Sequence, residues 1–180
     1  LNGQYILALL ARNCSNGNVL YESQTQASRK EDVLRSLAKM AAVFRSKAGE
    51  SLASIQQHDA PLEEVTSSSL EAVKLYSAAR KDISSHGDPA AEARLLKQVL
   101  ELDPNFTMAH ALLGRVYGDM YEPSLAAASA TRAHELRNRA SERERYFIDV
   151  EYDQLATGNL ERAVQTGTQW ALNYPRDRDA

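Results

Sequence analysis

The chain carries one helical-hairpin pattern three times, and this repetition limits its fold more than any other feature. Tyr76, Gly87-Asp88 and Leu102-Asp103-Pro104-Asn105 mark the first unit. His110, Leu113-Gly114, Tyr117, Ala126, Ala130, Ala133 and Leu136 mark the second. Phe147, Gly158-Asn159, Ala163, Trp170 and Tyr174-Pro175 mark the third. Self-similarity at a period of about 34 residues signals stacked supersecondary units, each able to hide its apolar face only against a neighbour. The spacing predicts helices over 69–86 and 89–102, then 107–120 and 123–137, then 141–157 and 160–173. Gly87 supplies a turn, Asp88 a helix cap and Pro89 a first helical position, where a missing N–H costs nothing. Leu95, Leu96, Val99, Leu100 and Leu102 form the apolar face of the second helix, and Pro104 closes the unit. Gly114, Ala126, Ala130 and Ala133 are small where paired helices approach closely.

Upstream of the repeats the periodicity changes. Residues 4–12 are apolar on both alternating faces, which predicts a strand buried on two sides. Asn13 to Asn18 is a turn cluster, and the more polar strand 19–27 belongs towards a sheet edge. Ser28-x-x-Glu31 reads as a capping box opening a helix to Ala48, with Val33, Leu37, Met40, Ala41, Phe44 and Ala48 as its stripe and Gly49 as its stop. Two strands and one helix cannot close a core alone. Residues 1–49 are therefore either the remnant of a larger α/β domain or a module that docks onto the helices or dimerises. Residues 50–68 read as a linker: Leu52 and Ile55 extend a short helix, and Asp59-Ala60-Pro61 breaks it. Ser68-x-x-Glu71 is a second capping box, and residues 69–180 form the repeat domain.

Composition bounds the function. Among 180 residues, 43% are hydrophobic and 25% charged, an ordinary globular balance, and the net charge of -3 argues against a nucleic-acid binder. Cys14 is the single cysteine, so neither an internal disulfide nor a multi-cysteine zinc site can form. No stretch reaches the ~20 apolar residues of a membrane span, and no signal segment is present. The chain opens without an initiator Met and reads as an excised piece of a longer protein.

Over roughly residues 69–177 these motifs resemble the tetratricopeptide-repeat family, most closely in the second unit and in Leu102-Asp103-Pro104-Asn105. Arg80, Glu92 and Gly167 depart from its pattern. The strand, Asn-x-x-x-Gly turn, strand and helix with Lys30-Glu31-Asp32-Val33-Leu34 resemble the end of a TolB-like α/β domain. Gly49 to Ile55, Pro61 to Glu64, Ser141 to Arg145 and Tyr174 to Asp177 resemble the repeat region of bacterial serine/threonine protein kinases and winged-helix regulators. The resemblance implies a mainly α fold: an α-α superhelix of about three hairpins, preceded by the β-hairpin and helix. It implies a non-catalytic protein-interaction scaffold or, as the alternative, the sensory region of such a kinase or regulator. No Gly-rich phosphate loop, His-Arg-Asp or Asp-Phe-Gly is present, so the fragment itself is not a kinase.

The candidate chemistry is sparse. His110 and His134 fall at one end of a hairpin without further ligands, and His58 and His86 lie in linker and turn, so no metal or cofactor is expected. Ser67 to Ser69 is a cap cluster, and Glu63-Glu64, Glu142 and Glu144 suit helix starts. Arg132, Arg137, Arg139, Arg143 and Arg145, interleaved with Glu135, Glu142 and Glu144, read as an ion-paired surface, with an acidic-partner patch as the alternative. Trp170 either packs within its own repeat or lies on a face awaiting another, and the second option predicts a homodimer through that terminal face. The first helix of each repeat lines the expected groove. By register this selects Lys74, Ser77, Lys81, Met108, Ala111, Arg115, Arg145, Ile148 and Tyr152, with Lys74, Lys81, Arg115, Arg145 and Tyr152 as the peptide-contacting set. The family's carboxylate clamp carries over only at Lys81 and Arg145, which disfavours a C-terminal tail and leaves an extended or helical peptide as ligand.

Overall fold

The computed structural model describes residues 4–49, 67, 69–84, 88–175, 177 and 179, apart from the side chains of Glu31 and residues 82–84. The expected linker over 50–66, Ser68, Gly87, His58 and His86 lie outside the described residues. The chain divides into two compact units, Leu1–Glu64 and Val65–Ala180. It is mainly helical, with a small two-stranded antiparallel sheet.

In the first unit β1 (Tyr5–Arg12) and β2 (Val19–Ala27) pair from Tyr5↔Ala27 to Ala11↔Tyr21, with an irregularity before Arg12↔Val19. The Asn13–Asn18 turn is tied by the Asn13 amide donating to the Asn18 carbonyl at 2.8 Å. α1 (Val33–Lys47) packs on one face of this sheet. The two-sided burial expected of β1 does not occur. Tyr5, Leu7, Leu9 and Ala11 are half-buried, whereas Ile6, Ala8 and Leu10 are exposed, because a single helix covers a single face. The α1 stripe is narrower than expected: Val33, Leu34 and Met40 are buried, while Leu37, Ala41 and Ala48 face solvent. The helix entry also differs. A 3-10 turn, Lys30–Asp32, comes first with Arg29 at its cap, and Arg29 grips Asp32 through two hydrogen bonds of 2.8 and 3.0 Å. Gly49 ends the element with φ of +92°, a conformation that favours glycine.

The second unit is a series of helices: α2 (Leu70–Ser84), α3 (Pro89–Leu102), α4 (Thr107–Asp119), α5 (Pro123–Glu135), α6 (Glu142–Tyr152) and α7 (Leu160–Asn173). Each packs against the next, and α6 also meets α4. Local chemistry sets most boundaries. The Ser69 hydroxyl accepts from the Ala72 amide, one residue later than the expected Ser68 box. Asp88 accepts from the Ala90 amide at 3.1 Å with Pro89 at the first position, as the sequence predicts. Ser141 and Glu144 form a reciprocal capping box at α6. α4 stops in a Schellman arrangement: the Glu122 amide reaches the Tyr117 carbonyl and the Tyr121 amide reaches Gly118. Tyr121 there adopts φ of +58°, a place where glycine is usual. The helix expected over 141–157 is α6 followed by a π-helical turn, Asp153–Thr157, that turns Asp153 into the interior and ends at Gly158.

Leu96, Val99, Phe106, Ala109, Ala111 and Ile148 are fully buried in one core that runs from Ala72 to Trp170. Each large apolar side chain in it contributes about 1.5–3 kcal/mol. A Cβ on Gly114 would stand 3.2 Å from the Ala130 amide nitrogen and 3.3 Å from the Ala126 carbonyl oxygen, so α4 and α5 touch backbone to backbone there. Leu102, expected on the apolar face of α3, is instead 47% exposed in its last turn. No helix among the described residues is long and apolar enough to cross a membrane.

Candidate functional site

The first helix of each hairpin contributes to one cleft of about 110 Å³ in the second unit. α2 supplies Arg80; α4 supplies Met108, Leu112 and Arg115; α6 supplies Arg143, Glu144 and Phe147; α7 adds Trp170. The spacings Met108, Leu112, Arg115 and Arg143, Phe147 are helical repeats of three and four, which keep these side chains on one stripe.

Most of the charges in the cleft have partners. The Arg115 Nε donates to Glu151 Oε1 at 2.8 Å, and its guanidinium lies 4.4 Å from the Phe147 ring centroid. Burial pushes the Glu151 carboxyl above its ordinary range, with Arg115 pulling the other way. Glu144 is engaged by the Ser141 amide and hydroxyl, both at 2.8 Å. Arg143 forks the carboxylate of Asp177, which also accepts from Trp170 Nε1 at 2.9 Å. Those Arg143 hydrogen bonds hold the Asp177 carboxyl below the usual carboxylate range. Asp179 lies in the cleft itself, its Oδ2 3.6 Å from both Arg80 Nη2 and Arg143 Nη2. One turn from Arg80 on α2, burial raises the Tyr76 phenol to about 12, and Arg80 opposes that rise.

A second cleft of about 440 Å³ is lined by His134, Arg137, Asp149, Tyr152, Asp153, Arg162 and Thr166. Arg162 forks Asp153, and the His134 ring stacks on Tyr152 with centroids 4.0 Å apart. Asp149 Oδ1 is shielded from solvent without a hydrogen bond, 3.5 Å from His134 Nε2. Burial raises the Asp149 carboxyl and lowers the His134 imidazole, so desolvation favours the neutral form of each. A carboxylate beside an imidazole can orient a general base, and Tyr152 and Thr166 bring hydroxyls to the same cleft.

No family model, no curated protein and no solved structure matches the chain. The site therefore rests on its own geometry. Of the five peptide-contacting residues expected from the sequence, Arg115 lines the first cleft and Tyr152 the second. Lys74 and Lys81 are exposed on α2, and Arg145 is exposed with its Nε donating to the Ala140 carbonyl at 3.0 Å; none of the three lines either cleft. Arg80 lines the first cleft next to exposed Lys81, and Arg143 and Phe147 line it near Arg145 and Ile148, the latter fully buried. Trp170 is 3% exposed and packs edge-on to Phe147, so it is a core residue that also walls the cleft. The exposed apolar face of α7 consists instead of Leu160, Val164 and Leu172. The basic run is ion-paired through Arg132 to Glu135, Arg137 to Asp149 and Arg143 to Asp177. Sequence reasoning missed Asp177 and Asp179, whose arginine partners lie 34 residues or more away in the chain. Their only signal was the Arg-Asp-Arg-Asp run after Pro175.

Proposed function

We propose that the helical unit is a tetratricopeptide-type superhelix that serves as a non-catalytic protein-interaction scaffold and takes a peptide along the stripe shared by α2, α4 and α6. One observation supports this reading above the others: the first helix of all three hairpins contributes side chains to a single cleft of mixed basic and apolar character. Stacked repeats present a continuous recognition surface in this way, because the elements that stack also align. Methionine, leucine and aromatic walls beside guanidinium groups suit a peptide with both apolar and acidic side chains.

The test is a peptide-display selection on wild type, counter-selected on Arg80→Glu. Peptides retained by wild type and lost by the variant are the expected result. No enriched peptide, or equal retention by both proteins, overturns the groove reading.

A second reading makes the whole chain a sensory or regulatory region of a bacterial serine/threonine kinase or winged-helix regulator. The exposed Ile6, Leu10 and Leu20 on the sheet face that α1 leaves uncovered, beside Glu22, Gln24 and Gln26, support it, since such a face suits the edge of a larger α/β layer. Regulation of an attached kinase or DNA-binding domain by a ligand of the helical unit is the activity to assay.

A further inference from the structure

We infer that the outer edge of β2 takes an extended, acidic segment of a partner protein as an added strand, laid in the groove between β2 and α1. This site lies in the first unit and is independent of the clefts in the helical unit.

An edge strand offers a row of backbone N–H and C=O groups to any chain that can lie beside it. β2 pairs with β1 along one side, and no strand pairs with its other side among the described residues. Beside β2 lies a groove of about 470 Å³ whose described walls come from β2 and α1, with none from β1, which puts it on the outer side of the strand. Tyr21, Ser23 and Thr25 form one wall. They are half-buried and alternate along β2, so they share the face on which α1 packs, while Glu22 and Gln24 are exposed on the other face. Ser36, Lys39, Met40 and Val43 form the second wall, at spacings of three and four that make one stripe of α1. A strand added at this edge places every second side chain between the two walls.

The walls also define the chemistry of that strand. Lys39 is exposed in the groove and has no ion-pair partner among the described residues, so it meets a carboxylate on the added strand. Ser23, Thr25 and Ser36 bring hydroxyls to the same groove, and Met40 and Val43 bring apolar surface for branched side chains beside the carboxylate. A second copy of the chain is the natural competitor for an open edge. α1 carries Arg35, Lys39, Arg45 and Lys47, however, and no acidic residue. Pairing β2 with its own copy sets two such helices side by side on one face of the sheet, where like charges oppose the pairing. An acidic strand meets the same helix with complementary charge.

The probe is tetramethylrhodamine-labelled Thr-Val-Thr-Glu-Thr-Val-Thr, amidated so that only the Glu side chain offers a carboxylate. Anisotropy titrations use the full chain. Wild type is expected to bind it, and Lys39→Glu to bind it about tenfold more weakly. A probe with Lys in place of Glu is expected to reverse that order, which also shows that the variant is folded. Two further probes carry N-methyl groups on alternate residues, one on the odd and one on the even positions. An added strand turns only one of these sets of N–H groups towards β2, so one methylated probe is expected to lose binding and the other to keep it. No binding by any probe, the same affinity for wild type and Lys39→Glu, or the same behaviour of the two methylated probes overturns the inference. Sedimentation equilibrium supplies the last check: a dimer that excludes the probe makes a second copy the occupant and overturns it too. The display selection on the helical unit is decided separately from all of these outcomes.

Discussion

Arg115 illustrates how one residue can look like a ligand contact and act as a structural partner. Its guanidinium lies on the cleft stripe but is bonded to Glu151, whose side chain is 7% exposed. Removing Arg115 strands the buried Glu151; because Arg115 is itself 35% exposed, the cost falls below the about 3–5 kcal/mol of a fully buried pair, whereas replacing both with apolar groups is close to neutral. Arg115→Met is therefore expected to lower the urea midpoint, and Arg115→Met with Glu151→Leu to recover most of the loss. A charge reversal at Arg115 would report stability before it reported binding, which makes Arg80 the better site for functional variants. His110 gives the pH dependence. Burial lowers its imidazole pKa, against the hydrogen bond between Nε2 and the Pro104 carbonyl at 3.0 Å. A histidine depressed in the folded state binds its proton more readily when unfolded. Its contribution is thus complete above the unfolded value of about 6.5 and is lost as pH falls from there through the folded value. Unfolding free energies measured between pH 7.5 and 5 should fall less for His110→Gln than for wild type.

At the level of elements, α7 separates two kinds of apolar residue that share one helix. Ala163 and Trp170 point into the core, while Leu160, Val164 and Leu172 are exposed to solvent. Trp170→Ala empties a packed site beside Phe147 and removes the donor to Asp177, so it should cost about 3–5 kcal/mol. Val164→Ser, on the exposed face, should change stability by about 0.5 kcal/mol or less. Thermal melts of the two variants side by side check this. If Val164→Ser destabilised as much as Trp170→Ala, the assignment of faces on α7 would be wrong. Gly167 fits this division, since a Cβ there would meet nothing within 4 Å.

Across the whole molecule the two units differ in how much core they own. The main cluster from Ala72 to Trp170, with partly buried Tyr174 beside it, lies entirely within Val65–Ala180. The described part of the first unit buries only Ala27, Val33, Leu34 and Met40. Stability scales with the apolar surface removed from water, and two strands with one helix fall short of an independent domain. A fragment of residues 65–180 is expected to unfold cooperatively in urea with helical circular dichroism, and a fragment of residues 1–49 to show no cooperative transition. A folded 1–49 fragment would mean that its small buried set suffices.

Periodicity and turn chemistry settled the elements in advance. Asp88-Pro89 opened α3 and small residues at 114, 126, 130 and 133 marked the close pairing of α4 with α5, because these signals act over a few residues and need no distant partner. The sequence alone also excluded an internal disulfide, through the single Cys14. The rotation of each helix about its axis was not legible. A one-residue change turns a side chain by about 100°, and packing against other helices chose Arg80 over Lys81 and Arg143 over Arg145. Nor did local pattern show that β1 is covered on one face, or that Asp177 and Asp179 return to Arg143 and Arg80. Those outcomes depend on which surfaces meet in three dimensions, and only tertiary packing decides that.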